Sequence, residues 1–228
     1  MRVIDNKPLV KRYSLIAKAL SFIGLATLIG GLVVSFMWPD RPFIPLYTLL
    51  IGFLMSNVGI HLTNRYVREP RADDSLTKSL KALDDSYSIY HYRLSASHAV
   101  IGPTGVFAIL PKFQSGTVLW DDKHKRFRQA NTGWIQRTFG QEGIGNPVLE
   151  AQAEARRLEK QLKRKFGNVA PPVLPLIVFT HAKVEVENLS QSPVPAFKAQ
   201  YLSTFFRKSR RAASLSQTQI DQLDSTQK

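Results

Sequence analysis

The stretch that decides the fold of the soluble part is SASHAVIGPTGVFAILPKFQSGTVLW, residues 95–120. Within it, two short apolar runs at 98–101 and 106–110 flank the four residues Gly-Pro-Thr-Gly at 102–105. Glycine and proline favour tight chain reversals, and short apolar runs on both sides of such a reversal are typical of paired strands. The stretch therefore predicts a β-hairpin.

Further strands are predicted on both sides of this hairpin. Residues 87–94 are rich in aromatic side chains and alternate in polarity, as half-buried strands do. Residues 117–120 and 126–129 lie on either side of a polar turn. We expect all of these strands to form one meander.

The clearest helix of the chain follows the meander. Asn146 is the predicted N-cap, Pro147 takes the first helical position, and Gly167 ends the helix. Apolar residues recur along one face at helical spacing, and they are Ala151, Ala155, Leu158, Leu162 and Phe166. The apolar run at 173–180 then predicts a buried strand that is reached from the meander by a crossover.

Shorter elements complete the soluble part. A helix is predicted from Asp73 or Asp74 to Leu83, a short strand at 183–187, and a weak helix from Ser214. This order of helices and strands is typical of the α/β class, and it predicts an α/β sandwich with a mixed sheet.

Two apolar stretches precede the soluble part. Residues 19–38 carry no charge over twenty residues, and residues 44–62 form a second stretch of nineteen. At about 1.5 Å per residue, each can cross a hydrocarbon layer about 30 Å thick. Residues 39–43 leave room only for a turn, so the pattern predicts a membrane-anchoring two-helix hairpin. A cleaved signal peptide is the alternative for the first stretch, but its apolar core is long and no cleavage motif follows Trp38.

The basic residues near the two stretches predict the orientation of the hairpin. Arg41 stands alone between the stretches, whereas basic residues precede the first and follow the second. By the positive-inside rule, both termini and the soluble part are expected on the cytoplasmic side of the cell membrane, in a multi-pass protein with two spans. The flanking residues are Arg2, Lys7, Lys11, Arg12 and Lys18 before, and Arg65, Arg68 and Arg71 after.

Polar and small residues inside the hairpin predict how its helices pack. Ala26 and Gly30 form a small-xxx-small pair, which favours close approach of the second helix. Asn57 is expected to form a polar contact between the helices, with a role in a transport pathway as the alternative. Two spans without internal charge do not enclose a substrate path, so a transporter is excluded.

Composition narrows the classes of function further. The chain has no cysteine, which excludes disulfides, a thiolate nucleophile and cysteine-ligated metal sites. The net charge is +14, and residues 1–62 hold only six of the 31 basic and two of the 17 acidic residues, so about +10 belongs to residues 63–228. Such a balance favours polyanionic partners, either nucleic acid or an anionic membrane leaflet.

Several motifs in order resemble the nuclease-related domain (NERD) family. Residues 95–120 are similar to the central block of that family, NPVLEAQAEARRLEKQL to its helix, PPVLPLIVFT to the next strand, and LSQTQIDQL to its terminal helix. The predicted layout is a basic N-terminus at 1–18, spans at 19–38 and 44–62 joined by a turn at 39–43, a basic linker at 63–72, a NERD-like domain at 73–188 and an extension at 189–228.

The resemblance implies a restriction-endonuclease-like core of the PD-(D/E)xK type. There, an acid on one strand and a Glu-x-Lys on the next hold a divalent metal that activates water against a phosphodiester. Carried over to this chain, the three positions are Ser97, Leu110 and Lys112. Mg²⁺ takes oxygen ligands, usually carboxylates, so the expected catalytic and metal-binding acids are missing. Pro111 is expected to suit an edge or a bulge better than a paired central strand.

Two readings of the missing acids stay open. Relocated carboxylates would restore Mg²⁺ binding, and the candidates are Asp74, Asp121, Asp122 and Glu150. Capping, turn formation and helix-dipole interactions explain the same four acids structurally. His98 lies next to Ser97 and is either a base or ligand, or a hydrogen-bonded structural residue.

The helix at 147–166 carries a basic face. With Lys112, this face is the candidate site for nucleic acid or anionic lipid, unless it is only a solvated surface; its residues are Arg156, Arg157, Lys160, Lys163 and Arg164. More positive charge lies at 123–128 and at 207–211. The sequence thus favours a membrane-anchored pseudo-nuclease that binds a polyanion without a cofactor, with an active nuclease or a scaffold for lipid or protein as alternatives.

Overall fold

The computed structural model describes residues 1–41, 43–130 and 143–225. The chain forms two compact units. One contains residues 1–6 together with the described residues after 71, and the other contains Lys7–Arg71. The helical pair thus lies within the sequence of the sheet domain, because the chain enters that domain both before and after it.

A six-stranded mixed sheet organises the domain. Its strands, in spatial order, are β1 (Arg2–Asp5), β2 (Ser88–His91), β3 (His98–Gly102), β4 (Gly105–Lys112), β7 (Val173–Phe179) and β9 (Ala196–Lys198). The predicted hairpin is confirmed as β3 and β4, which are antiparallel with Gly102 opposite Gly105. At this turn Gly105 has a φ of 124°, which a residue with a side chain rarely adopts. Strands β4 and β7 are parallel, as the crossover predicted.

Helix α4 (Pro147–Phe166) covers one face of this sheet and confirms the predicted helix. The side chain of Asn146 accepts a hydrogen bond from the Leu149 N–H at 3.2 Å, so the predicted N-cap is also confirmed. The helix buries Ala155, Leu158 and Leu162 against Ala108 and other apolar residues of the sheet. Helix α6 (Gln217–Ser225) contributes to the same cluster.

Helices α3 (Ala72–Leu80) and α5 (Leu202–Lys208) cover the opposite face. Leu76 and Leu80 of α3 and Phe206 of α5 pack with Val100 and Ile109 of the sheet. Helix α3 ends three residues before the predicted Leu83. Helix α5 and strand β9 were not predicted.

Strands β5 and β6 correct the prediction of a single meander. β5 (Gly116–Asp121), β6 (Arg126–Ala130) and β8 (Val184–Glu187) form a separate three-stranded sheet in the order β6-β5-β8. β5 pairs with β8 in parallel, with Gly116 opposite Val184. An apolar cluster with Val118, Trp120 and Phe179 joins the small sheet to the large one.

Strand β1 is an element that the sequence analysis did not predict within the basic N-terminus. Residues 2–5 pair in parallel with residues 88–91 of β2, so the chain begins as an edge strand of the large sheet. The Arg2 guanidinium donates a hydrogen bond to the Ser88 hydroxyl at 3.1 Å. Helix α1 then starts at Lys7.

The second unit consists of α1 (Lys7–Met37) and α2 (Phe43–Tyr66). Both helices are long and apolar enough to cross a membrane. Large apolar side chains are exposed along both of them, including Phe22, Phe36 and Phe53. Such faces suit a hydrocarbon environment, since exposed apolar patches of this extent are unusual on soluble proteins.

The helices approach each other through glycines at intervals of seven, not through Ala26 and Gly30 as predicted. Gly24 and Gly31 of α1 and Gly52 and Gly59 of α2 are buried. A Cβ at Gly24 would lie 2.8 Å from the backbone nitrogen of Ser56, whereas one at Gly30 would meet nothing within 4 Å. The side chain of Asn57 donates to the Phe53 carbonyl of its own helix at 2.9 Å, so it is not the predicted contact between helices.

Candidate functional site

Two of the expected nuclease positions, Leu110 and Lys112, lie where β4 extends past its partner β3. The last residue of β4 that pairs with β3 is Ala108, whereas pairing with β7 continues to Lys112. The carbonyl of Lys112 accepts a hydrogen bond from the Thr180 N–H at 2.9 Å, so the polar backbone groups of Lys112 face β7. Those of Pro111 therefore face the opposite side, because direction alternates along a strand. At Pro111 the side of β4 that β3 covered is already open, because β3 has ended, so the proline lies at a local edge as expected.

Lys112 is held by an ion pair with Glu150. The Nζ atom of Lys112 lies 2.8 Å from Oε2 and 3.0 Å from Oε1 of Glu150, and it also donates to the Ile144 carbonyl at 3.1 Å. The lysine side chain is only 13% exposed, so the pair is partly shielded from solvent. Gly145 has a φ of 64°, which favours glycine, and a Cβ there would come within 2.8 Å of Glu150 Oε1, so a larger residue would displace the end of the Glu150 side chain.

Ser97 is paired with a second acid of α4. Glu154 accepts from the Ser97 N–H at 2.9 Å and from the Ser97 hydroxyl at 3.3 Å. The Arg157 guanidinium lies 2.5 Å from the same carboxylate. Glu154 is 7% exposed, and its three donors explain how a buried carboxylate is tolerated on a helix face that is otherwise apolar.

Leu110 lies on β4 two residues before Lys112 and packs against an apolar cluster. The cluster includes Val148 and Ala151 from the start of α4 and Ile177 from β7. The structure therefore brings Ser97, Leu110 and Lys112 to the face of the sheet that α4 covers. Leu110 occupies the position where the family motif has a carboxylate on the strand. The two carboxylates near this position, Glu150 and Glu154, belong to helix α4.

These residues do not fit a divalent metal ion. Both helix carboxylates have cationic partners, Lys112 for Glu150 and Arg157 for Glu154. Among the described residues, no three histidine, aspartate or glutamate side chains form a group that could hold a metal ion. The oxygen-rich ligand set that Mg²⁺ requires is therefore not assembled there.

The other proposed ligands lie elsewhere. Asp74 is in the first turn of α3, on the opposite face of the sheet. Asp121 is the last residue of β5, and Asp122 begins the turn to β6. The backbone N–H of His124 is the main cause that lowers the pKa of Asp121. Hydrogen bonds from Lys125, and then from Trp120, lower the pKa of Asp122. Both acids thus act in a turn.

His98 is directed away from Ser97, because neighbouring residues of a strand face opposite sides. Its Nδ1 atom lies 2.8 Å from Nδ1 of His91 on β2, and both side chains are buried. Nε2 of His91 in turn lies 2.9 Å from the Thr77 hydroxyl of α3. The structural alternative for His98 fits this geometry, since the histidine belongs to a buried polar row under α3.

The basic residues of α4 form the second part of the candidate site. All five predicted residues are exposed. Two are engaged in ion pairs on their own helix, Arg157 with Glu154 and Lys163 with Glu159. The other three, Arg156, Lys160 and Arg164, form no ion pair within the described part of the chain. Two shallow grooves flank this row and share Lys160 and Arg164.

Sequence reasoning missed Glu154. A signal for it exists, because Glu154 follows Glu150 by one helical turn and precedes Ala155 on the buried stripe. A carboxylate at such a position needs a partner inside the fold. The sequence analysis divided α4 into an apolar face and a basic face, and it did not consider an acidic residue on the buried side.

The domain combines a mixed α/β sheet with a lysine at the end of an inner strand, beneath a crossover helix, which is the layout that the resemblance implied. The chain belongs to the nuclease-related domain family, whose model matches residues 66–180, half of the chain. The match includes Ser97, Leu110, Lys112 and all of α4. Comparison with curated proteins and with solved structures gives no match.

Proposed function

We propose that this protein is a membrane-anchored pseudo-nuclease that binds nucleic acid or a similar polyanion on its basic surface without cleaving it. The observation that carries the proposal is the Lys112–Glu150 pair beside Leu110. A lysine of the nuclease type assists at a phosphate only when its charge is available, and here a carboxylate neutralises it. Metal-assisted hydrolysis also needs carboxylates to hold the ion and orient water.

The row of exposed cations on α4 supports the binding half of the proposal. Arg156, Lys160 and Arg164 recur at helical spacing and have no competing acid partner within the described residues. Exposed cations can each contact a phosphate of a polyanion, and each contact releases counterions. Lys163 contributes less, because Glu159 already holds it.

The first prediction concerns this row. Replacing Arg156, Lys160 and Arg164 together by glutamine is expected to reduce the slope of log affinity against log salt by about 2.7 for duplex DNA, since each of the three phosphate contacts accounts for about 0.9. The measurement is a salt titration of the full chain in zwitterionic detergent. The matched control replaces Lys78, Lys81 and Lys183, which are exposed elsewhere. An equal slope for both triple variants would contradict the α4 surface.

An active nuclease with relocated carboxylates is the second candidate, because Glu150 and Glu154 reach the site from one helix. It predicts DNA or RNA cleavage that is abolished by a chelator and by Glu150→Gln. Our proposal predicts no such cleavage above a vector-only preparation. A scaffold for anionic lipid is the third candidate, and it predicts vesicle binding that the α4 substitutions weaken while DNA binding is absent.

The membrane placement is also part of the proposal. Strand β1 and the rest of the sheet belong to one unit, and the two candidate spans lie between them in sequence. Two crossings return the chain to its starting side, which agrees with a hairpin. The positive charge at its outer ends supports the cytoplasmic side.

A protease test checks this orientation. Protease added to inside-out vesicles is expected to degrade residues 63–228, whereas right-side-out vesicles should protect them. The same samples washed with carbonate should retain the protein in the pellet. Protection in the opposite vesicles would reverse the orientation, and release by carbonate would contradict the anchor.

A further inference from the structure

A groove beside α5 forms a second surface with chemistry of its own, and we name it the α5 groove. It is lined by Phe197, Tyr201, Thr204, Phe205, Lys208 and Ser209. Tyr201 is 53% exposed. The rings of Phe197 and Phe205 lie 5.0 Å apart, tilted by 34°, and Phe205 also contacts the buried Phe206 edge-on. The aromatic wall is therefore fixed by the core, with one ring open to solvent.

The charge around this groove is entirely positive within its own segment. Residues 188–220 contain five basic residues and no acid. Four of them follow one another closely at the end of α5, and all four are exposed; they are Arg207, Lys208, Arg210 and Arg211. None of the four forms an ion pair with another described residue. An anionic ligand is thus the complementary occupant.

The α5 groove is distinct from the candidate site on α4. Leu202 and Phe206 anchor α5 to the face of the sheet that α3 covers, opposite to α4. The groove also lies after residue 180, where the match to the family model ends. Neither the family membership nor the Lys112 region accounts for it.

We propose that the α5 groove binds single-stranded nucleic acid by stacking a base on its aromatic wall. A base is planar and apolar on its faces, so it fits beside Tyr201, while the phosphates on either side meet Lys208 and Arg207. Aromatic platforms rimmed by cations are how proteins bind single strands without sequence preference. Duplex bases are stacked on each other and do not reach such a wall. A lipid surface is less suited, because the rings of Phe197 and Phe205 are half-buried and pack against the core instead of protruding.

The test uses the full chain in zwitterionic detergent and a fluorescein-labelled oligothymidylate of twelve nucleotides. Tyr201→Ala is expected to weaken binding at least about fivefold, the lower end of what one base–aromatic stack contributes. Binding of heparin, a polyanion without bases, should be unchanged by Tyr201→Ala and weakened by Lys208→Gln. The matched control is Val169→Ala, an exposed apolar residue elsewhere that is expected to change neither affinity. Equal thermal unfolding of the variants shows that the fold is intact.

Each alternative outcome is decisive. Unchanged oligothymidylate binding by Tyr201→Ala would overturn the proposal, as would an equal loss for heparin. A loss confined to vesicles with anionic lipid would assign the groove to a membrane surface and overturn it too. If the α4 triple variant loses duplex binding while Tyr201→Ala has no effect, the pseudo-nuclease proposal stands and the α5 groove does not. If Tyr201→Ala weakens oligothymidylate binding while the α4 triple variant leaves duplex binding unchanged, the α5 groove proposal stands and the assignment of polyanion binding to α4 does not.

Discussion

Replacing Ser97 by aspartate is expected to destabilise the domain by about 2–4 kcal/mol and to create no nuclease. Ser97 donates two hydrogen bonds to the buried carboxylate of Glu154, one from its backbone and one from its hydroxyl. Aspartate keeps only the backbone donor and places a second negative charge against the first. We therefore expect that position 97, where the family motif has an acid, does not accept an acid in this chain.

Leu110→Glu adds a second cost in the same region. Leu110 packs on the cluster of Val148 and Ala151, so a carboxylate there loses apolar contacts and gains no cation, because Lys112 is already paired with Glu150. The double variant should unfold about 5–15 °C or more below the parent, in line with a loss of several kcal/mol from a domain of this size. The measurement is thermal unfolding followed by circular dichroism, with a cleavage assay in Mg²⁺ or Mn²⁺.

Controls separate charge repulsion from loss of packing. Ser97→Ala removes only the hydroxyl donor and is expected to cost about 1 kcal/mol. Adding Glu154→Gln to Ser97→Asp removes the repulsion and supplies an amide donor, so it should recover part of the stability. An unfolding temperature unchanged by Ser97→Asp would contradict the described pairing. Metal-dependent cleavage by the Ser97→Asp, Leu110→Glu variant would show that the scaffold still holds a metal.

The parts of the fold that the sequence predicted well are those with local signals. The Gly-Pro-Thr-Gly turn specifies the β3–β4 hairpin, and Asn146 with Pro147 specifies the start of α4. Strand β1 has only four residues, and its order comes from pairing with β2 across more than eighty residues of sequence. The assignment of β5 to a second sheet likewise depends on its distant partner β8. A short strand that pairs with a distant segment shows no periodic pattern that would predict its partner.

In the candidate site, too, local features could be predicted from the sequence and distant contacts could not. Leucine at position 110 and lysine at 112 can be read directly against the family motif, and Glu150 was identified as a possible relocated acid. Its partner could not be predicted, because the Lys112–Glu150 contact joins a strand end to a helix start 38 residues later. Glu154 was missed because charged residues on a helix are ordinarily assigned to its solvated face.

In the helical hairpin, the sequence contains the seven-residue spacing of small residues, but the sequence analysis used a four-residue motif instead. The small residues Ala17, Gly24 and Gly31 recur every seven residues in α1, and Gly52 and Gly59 do so in α2. A period of seven keeps one face of each helix on its partner. Ala26 and Gly30 fit the four-residue motif, but they lie on the exposed side.

Gly59→Leu is expected to separate the two helices, because a Cβ at this position would lie 2.8 Å from the backbone nitrogen of Ser21 and 3.1 Å from its Cα atom. Backbone atoms cannot rotate away as a side chain can, so the helices must move apart. The matched control is Gly30→Leu, where a Cβ meets no atom within 4 Å. A substitution of the same size in the same hairpin thus differs only in what it contacts.

A disulfide reports this separation cleanly, since the chain has no cysteine. A Cβ at Gly31 would lie 3.1 Å from the Cβ of Thr48, and a disulfide needs about 3.5–4.5 Å between these atoms. A separation of a few tenths of an ångström would allow the Gly31→Cys, Thr48→Cys variant to cross-link α1 to α2 under mild oxidation, whereas a larger separation would prevent it. Proteolysis in the turn, followed by electrophoresis with and without reductant, measures the cross-linked fraction. Gly59→Leu should reduce that fraction severalfold, and Gly30→Leu should leave it unchanged. Equal cross-linking in both would mean that the close approach at Gly59 does not hold the hairpin together, and the seven-residue glycine spacing would lose its role.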